Sequence, residues 1–168
     1  MKLTDHLLEE LEREAERTRR ALENVPVGRD DWKPHDKSMP LARLAGLVAG
    51  MPGWVSLVID QDELDLTPPP GQGQYQQPAM DKLTETLDAG VEKARASLRN
   101  TTDDYLMTTN WRLRAGGQVV LDQPRYVVLR DTFNHLAHHR GQLTVYLRLN
   151  DAAVPSIYGP SADDHRFL

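Results

Sequence analysis

The chain has 168 residues, a net charge of −5 and no cysteine. That length suits one domain, 1–168, with a sizeable buried core. Lysine and arginine are scattered in an acidic chain, which argues against a nucleic-acid face, and the absence of cysteine excludes disulfides, a cysteine nucleophile and thiolate metal ligands.

Helical periodicity dominates from the start. Leu3, Leu7, Leu11, Ala15, Thr18 and Leu22 recur at three- and four-residue steps, which predicts an amphipathic first helix ending before Pro26. Ser38 has the chemistry of an N-cap, with Pro40 in the first turn of a second helix carrying Leu41, Leu44, Leu47, Val48 and Met51. Pro52-Gly53 should kink or break that helix before Trp54 to Ile59 resumes it. The charge-free run Leu44 to Ile59 is 16 residues long and interrupted by Pro52. It falls short of a membrane span and reads as a buried helix pair. The first residues, Met1 to His6, lack the apolar core of a secretory signal. The expectation is a soluble cytoplasmic protein with no membrane partner. Leu66 to Pro78, with four prolines, two glycines and four glutamines, reads as a mobile loop. Pro78 should open a third helix with Met80, Leu83, Leu87, Val91, Ala94 and Leu98 on one face. Thr101 to Asp104 reads as a turn or a cap. Ala115-Gly116-Gly117, between Trp111-Arg-Leu-Arg and Gln-Val-Val-Leu, suits a short hairpin. A fourth helix should run from Pro124 to about Asn150, followed by an extended tail. The fold class is therefore all-α, a four-helix bundle with a short hairpin before its last helix.

The last helix carries the chemistry. Three of the six histidines, His135, His138 and His139, fall within five residues. His135 and His139 are four apart, so a helix puts both rings on one face, one turn apart. One helix can supply two nitrogen ligands to a metal ion in this way. Two stripes adjoin: Leu129, Phe133, Leu136, Arg140, Leu143 and Leu147, and Val128, Thr132, His135, His139, Gln142 and Tyr146. The second, semi-polar stripe suggests the wall of a polar cavity, with Gly141 admitting a close neighbour. Histidine pairs at this spacing also arise as core residues bonded to backbone carbonyls, and His138 lies to one side of the pair.

The block His135-Leu-Ala-His-His-Arg-Gly-Gln-Leu143, the tail Tyr158-Gly-Pro-Ser-Ala-Asp163, and the segments Trp32-Lys-Pro-His-Asp-Lys-Ser38 and Met51-Pro-Gly-Trp54 resemble the DinB-like (DinB/YfiT) proteins. The resemblance covers essentially the whole chain. It implies a four-helix bundle in which three histidines hold one divalent ion, nickel or zinc, with water in the open positions. It also implies homodimers. In some members it implies transfer or isomerisation with a low-molecular-weight thiol such as bacillithiol or mycothiol, and it does not imply DNA binding. His135 and His139 match two of the family's ligands. The third belongs on the second helix, in a pattern like Leu-x-x-Leu-Ala-x-His, and Leu47 stands there in Leu41-Ala-Arg-Leu-Ala-Gly-Leu47. Leu47 is thus the missing-ligand position. Either the site is lost, or another group such as His6 or His35 completes it, or the ion is held weakly with more water. Two functions follow. One is a metal-dependent thiol transferase or hydrolase acting on a small molecule, with His138, Arg140, Gln142 and Tyr146 supporting the ligands. The other is a metal-free small-molecule-binding bundle, or pseudoenzyme, whose pocket is gated by residues 66–78 and 111–121.

Overall fold

The computed structural model describes residues 2–67 and 77–166. Helix α1 (Leu3–Leu22) buries Leu7, Leu11, Glu14, Thr18, Ala21 and Leu22. Its free N-terminal N–H groups are met from a distance: the Asp103 carboxylate accepts from Leu3 and Thr4 at 2.8 and 3.0 Å. Those bonds, led by the one from Thr4, hold the Asp103 carboxyl below its usual range.

Helix α2 (Leu41–Gly50) begins directly behind Pro40, with no side-chain cap. The expected Ser38 cap is therefore corrected: proline presets the first turn by itself. Pro52 lacks an N–H, and the chain tightens into a 3-10 turn at Met51–Gly53 before α3 (Trp54–Asp60) continues the rod. The rod Leu41–Asp60 is long and apolar enough to pass for a membrane span by composition, yet most of it is buried inside the bundle. It packs on α4 (Leu83–Asn100) and α6 (Arg125–Leu149). Gly53 and Gly90 let two backbones meet: a Cβ built on Gly90 would lie 3.0 Å from the Gly53 nitrogen. Helix α4 starts at Leu83 after a 3-10 turn at Met80–Lys82, later than the Pro78 start expected. The loop reading at Leu66–Pro78 falls mainly on residues 68–76, outside the described residues.

Thr102 caps the short α5 (Asp103–Thr108), its hydroxyl accepting from the Tyr105 N–H at 3.2 Å. The hairpin is β2 (Asn110–Ala115) and β3 (Gln118–Pro124). Its two-residue turn is Gly116-Gly117, with φ of 58° and 78°, as a primed hairpin turn requires. A third strand, β1 (Glu63–Asp65), pairs parallel to β2. The sheet order is β1-β2-β3. The all-α expectation is thus corrected to a mostly helical bundle carrying a small mixed sheet. Arg125 ties the two parts together. Fully buried, it donates to the carbonyls of Val58 and Gln61 and to Asp62, so the last carbonyls of α3 find donors at the first residue of α6.

One hydrophobic cluster runs through α1, the α2–α3 rod, α4 and α6, and includes Leu11, Leu44, Leu87 and Leu136. On α6 the buried stripe is Leu129, Phe133, Leu136, Arg140, Leu143 and Leu147.

Candidate functional site

With that stripe inward, the adjacent stripe of α6 reaches the rim of the bundle. Val128, Thr132 and Tyr146 are buried, His139 is half-buried, and His135 and Gln142 are exposed. The two imidazoles share one face, which lies at the solvent edge of the bundle. The reason is rotational: the leucine stripe claims the core, and its neighbour turns outward.

The two rings meet through Nε2, 2.9 Å apart. His139 Nδ1 lies 2.8 Å from Gln142 Oε1, and the Gln142 amide nitrogen lies 3.1 Å from His138 Nε2. An amide oxygen only accepts, so His139 carries its proton on Nδ1 and turns the Nε2 lone pair toward His135. Without an ion, the His135 Nε2–H donates to that lone pair. Burial pushes the His135 pKa down, and the neighbouring His139 and His138 push it further, which favours the neutral ring a metal needs. Two nitrogens about 2.05 Å from one ion sit about 2.9 Å apart at a right angle and about 3.3 Å apart at the tetrahedral angle. The pair therefore suits adjacent positions of a six-coordinate ion and must open slightly for tetrahedral zinc. Among the described residues, no group of three His, Cys, Asp or Glu side chains converges to hold an ion. The three-histidine arrangement does not fit this chain; a two-nitrogen edge does.

The other sequence candidates separate. His138 reaches the pair through Gln142. Arg140 turns away from it and onto α1, where it donates to Glu14 Oε2 at 2.5 Å, Thr18 Oγ1 at 3.0 Å and Tyr158 Oη at 2.6 Å. Burial pushes the Glu14 carboxyl up, but the Arg140 charge and the hydrogen bonds from Arg140, Arg17 and Tyr158 outweigh it, so the net shift is downward. Tyr146 donates to the Met39 carbonyl at 3.1 Å and meets the edge of Trp32. Leu47 is half-buried against the core, on a helix that packs against α6. The space beside it at Gly46 is taken by Gln77 and Pro78, where a Cβ would meet atoms at 3.0 to 3.3 Å. Gly141 has nothing within 4 Å of a Cβ, so no neighbour uses the gap expected there. His6 and His165 are exposed, and His35 accepts from the Lys37 N–H.

Residues 111–121, expected to gate a pocket, instead supply part of its wall as Trp111, Leu113 and Leu121, while the contributions of Leu64 and α3 were not foreseen. A cavity of about 340 Å³ lies between the sheet, α3 and α6, and reaches His135. Leu64, Leu113 and Leu121 stand in one register row across the three strands, and Trp111 is two residues along on the same face. Trp54 and Leu57 from α3 complete the apolar side. Thr132 turns its hydroxyl back to the Val128 carbonyl, leaving Asp131 and His135 as the polar edge. The Trp54 ring lies 5.6 Å from the His135 ring. The cavity beside the histidines is therefore apolar, not polar as the stripe suggested. The alternation Trp111-x-Leu113 signals a one-faced strand; its pairing with Leu64 is not visible locally.

The fold puts the chain in the class of helical bundles, here with a histidine pair at the mouth of an apolar cleft. Within that class the chain belongs to the DinB family, whose model matches residues 1–166. It is similar to the uncharacterized protein YrdA of Bacillus subtilis (strain 168), 26% identical over 163 residues that cover 95% of this chain and 90% of the relative. Its fold is similar to that of a DinB-like protein from Bacillus cereus ATCC 10987, with a TM-score of 0.69 and 20% identity over 92% of this chain and 97% of that one. It is also similar to that of the DinB-like protein YjoA from Bacillus subtilis, with a TM-score of 0.67 and 18% identity over 95% and 99% of the two chains.

Proposed function

We propose that this DinB-family protein binds a divalent ion, nickel or zinc, through His135 and His139, and a small molecule in the adjoining cleft. The observation that carries the reading is the 2.9 Å approach of the two Nε2 atoms, with Gln142 fixing the His139 tautomer. Leu47 withholds the family's third nitrogen, so the ion is held loosely and keeps positions for water or substrate. An ion bound there would polarise a carbonyl and lower the pKa of bound water or an external thiol, which makes hydrolysis or thiol transfer the reaction class. The chain's own residues bind and orient: Gln142 holds His139, Trp54 flanks His135, and the leucine row excludes water. Metal analysis of protein prepared with excess nickel or zinc tests this, with about one ion per chain expected and none after His139→Ala.

The metal-free alternative draws on a different observation, the apolar character of the cleft that reaches His135. In that reading the His135–His139 hydrogen bond only shapes the cleft mouth. A small molecule then binds equally well with and without added ion, and this measurement separates the two.

A further inference from the structure

The mouth of the cleft carries a charge that the bundle leaves unbalanced. Asp131 lines the cavity of about 340 Å³ and is exposed at its edge. The arginines of the adjoining elements are committed elsewhere, Arg112 and Arg114 to Glu63 and Arg125 to Asp62. Neither they nor any lysine is in the cleft wall. Arg130 precedes Asp131 on α6, and side chains one apart on a helix do not face each other. The remaining polar groups of the wall hold no countercharge. Thr132 gives its hydroxyl proton to the Val128 carbonyl, and the Trp111 indole nitrogen is sealed from the cavity. Residues 68–76 contain no charged side chain either. An anion arriving at this mouth meets a like charge, and a cation meets its opposite.

We infer that the cleft takes a molecule with an apolar, aromatic or branched-aliphatic body and a protonated amine, the amine standing at the mouth against the Asp131 carboxylate. The body lies against the row Leu64, Leu113 and Leu121, where removal of apolar surface from water drives binding. The cavity volume is within the range of pockets for small organic ligands. The ammonium stays at the rim in contact with water, so it avoids the cost of burying a charge. The Trp54 ring in the same wall attracts a cation to its face. This deepens the proposed function by naming the class of small molecule. It rests on the cleft being a small-molecule site and not on the presence of an ion.

The test compares two probes of nearly the same shape and opposite charge, 2-naphthylmethylamine and 2-naphthoate. Both are titrated into the full chain in metal-free, low-salt buffer at about pH 8, where an unperturbed histidine is neutral. Calorimetry gives the affinities, and the indole N–H resonances in ¹⁵N-edited NMR give the place. The Trp54 resonance should move, and that of Trp32, which packs on Tyr146, should stay. The amine should bind about tenfold more tightly than the carboxylate, since one exposed charge attracts the first and repels the second. Asp131→Asn should reduce that preference to about twofold or less. Asp122→Asn removes the same charge from the opposite face of the sheet and should leave the preference intact. A carboxylate bound as tightly as the amine, or a preference that survives Asp131→Asn, would overturn the inference and leave the cleft as a small-molecule site. Binding of neither probe, or a shift at Trp32 in place of Trp54, would overturn both. No arm contains an ion, so the metal reading stands or falls on its own titration.

Discussion

His135 and Arg140 are five residues apart on α6 and have opposite fates. His135 sits at the rim, and its pKa is lowered by burial first and by His139 and His138 next. Its folded pKa lies below the unfolded value of about 6.5, so the unfolded chain binds more protons there as pH drops. The associated stability is present above about pH 6.5 and is lost as pH falls through that value toward the lower folded pKa. Melting temperature should therefore decline between about pH 7 and pH 5, and His135→Gln should flatten part of that decline. An identical pH profile in the variant would contradict this assignment. Arg140 instead sits within the leucine stripe, almost fully buried against Glu14. Arg140→Met leaves the buried Glu14 carboxylate with only Arg17 and Tyr158 as partners and should cost about 3 kcal/mol in denaturant unfolding, the lower end for a broken buried pair; adding Glu14→Met should recover much of it. Arginine in a leucine stripe signals a buried acid partner. The sequence does not say which acid, because Glu14 is 126 positions away.

The glycines of the long helices divide by what surrounds them. Gly141 lies within α6 with open space around a Cβ, so Gly141→Ala should stabilise the protein by about 0.5–1 kcal/mol through helix propensity. A Cβ on Gly90 would lie 3.0 Å from the backbone nitrogen of Gly53. There Gly90→Ala should destabilise, because two packed segments must separate and no flexible side chain can yield. Opposite signs in thermal melts of the two variants check this account of the α4 crossing. The helices themselves were legible in the sequence because their signal is local: Leu83, Leu87, Val91, Ala94 and Leu98 are all buried at the predicted spacing. The hairpin was legible from Gly116-Gly117. Strand β1, three residues long, carries no period of its own and exists through its pairing with β2. The cleft wall depends on that pairing, which is why the histidine pair could be read from spacing and its apolar cleft could not.

The bundle brings the α2–α3 rod, α6 and the small sheet together around one opening, and Leu47 belongs to the rod that packs on α6. Leu47→His should raise nickel or zinc affinity at least about tenfold by adding a third nitrogen. It should also lower metal-free stability by about 1–3 kcal/mol, since an imidazole without a partner replaces a packed leucine. Excess metal should reverse that loss, because the ion binds only the folded state. Unchanged affinity would place the missing donor elsewhere. The parent protein offers the most direct measurement: calorimetric titration of the metal-free chain with nickel, alongside His139→Ala. The account predicts weak binding of about one ion per chain, absent from the variant. Tight binding that survives His139→Ala, or no binding by the parent at saturating nickel, would contradict it.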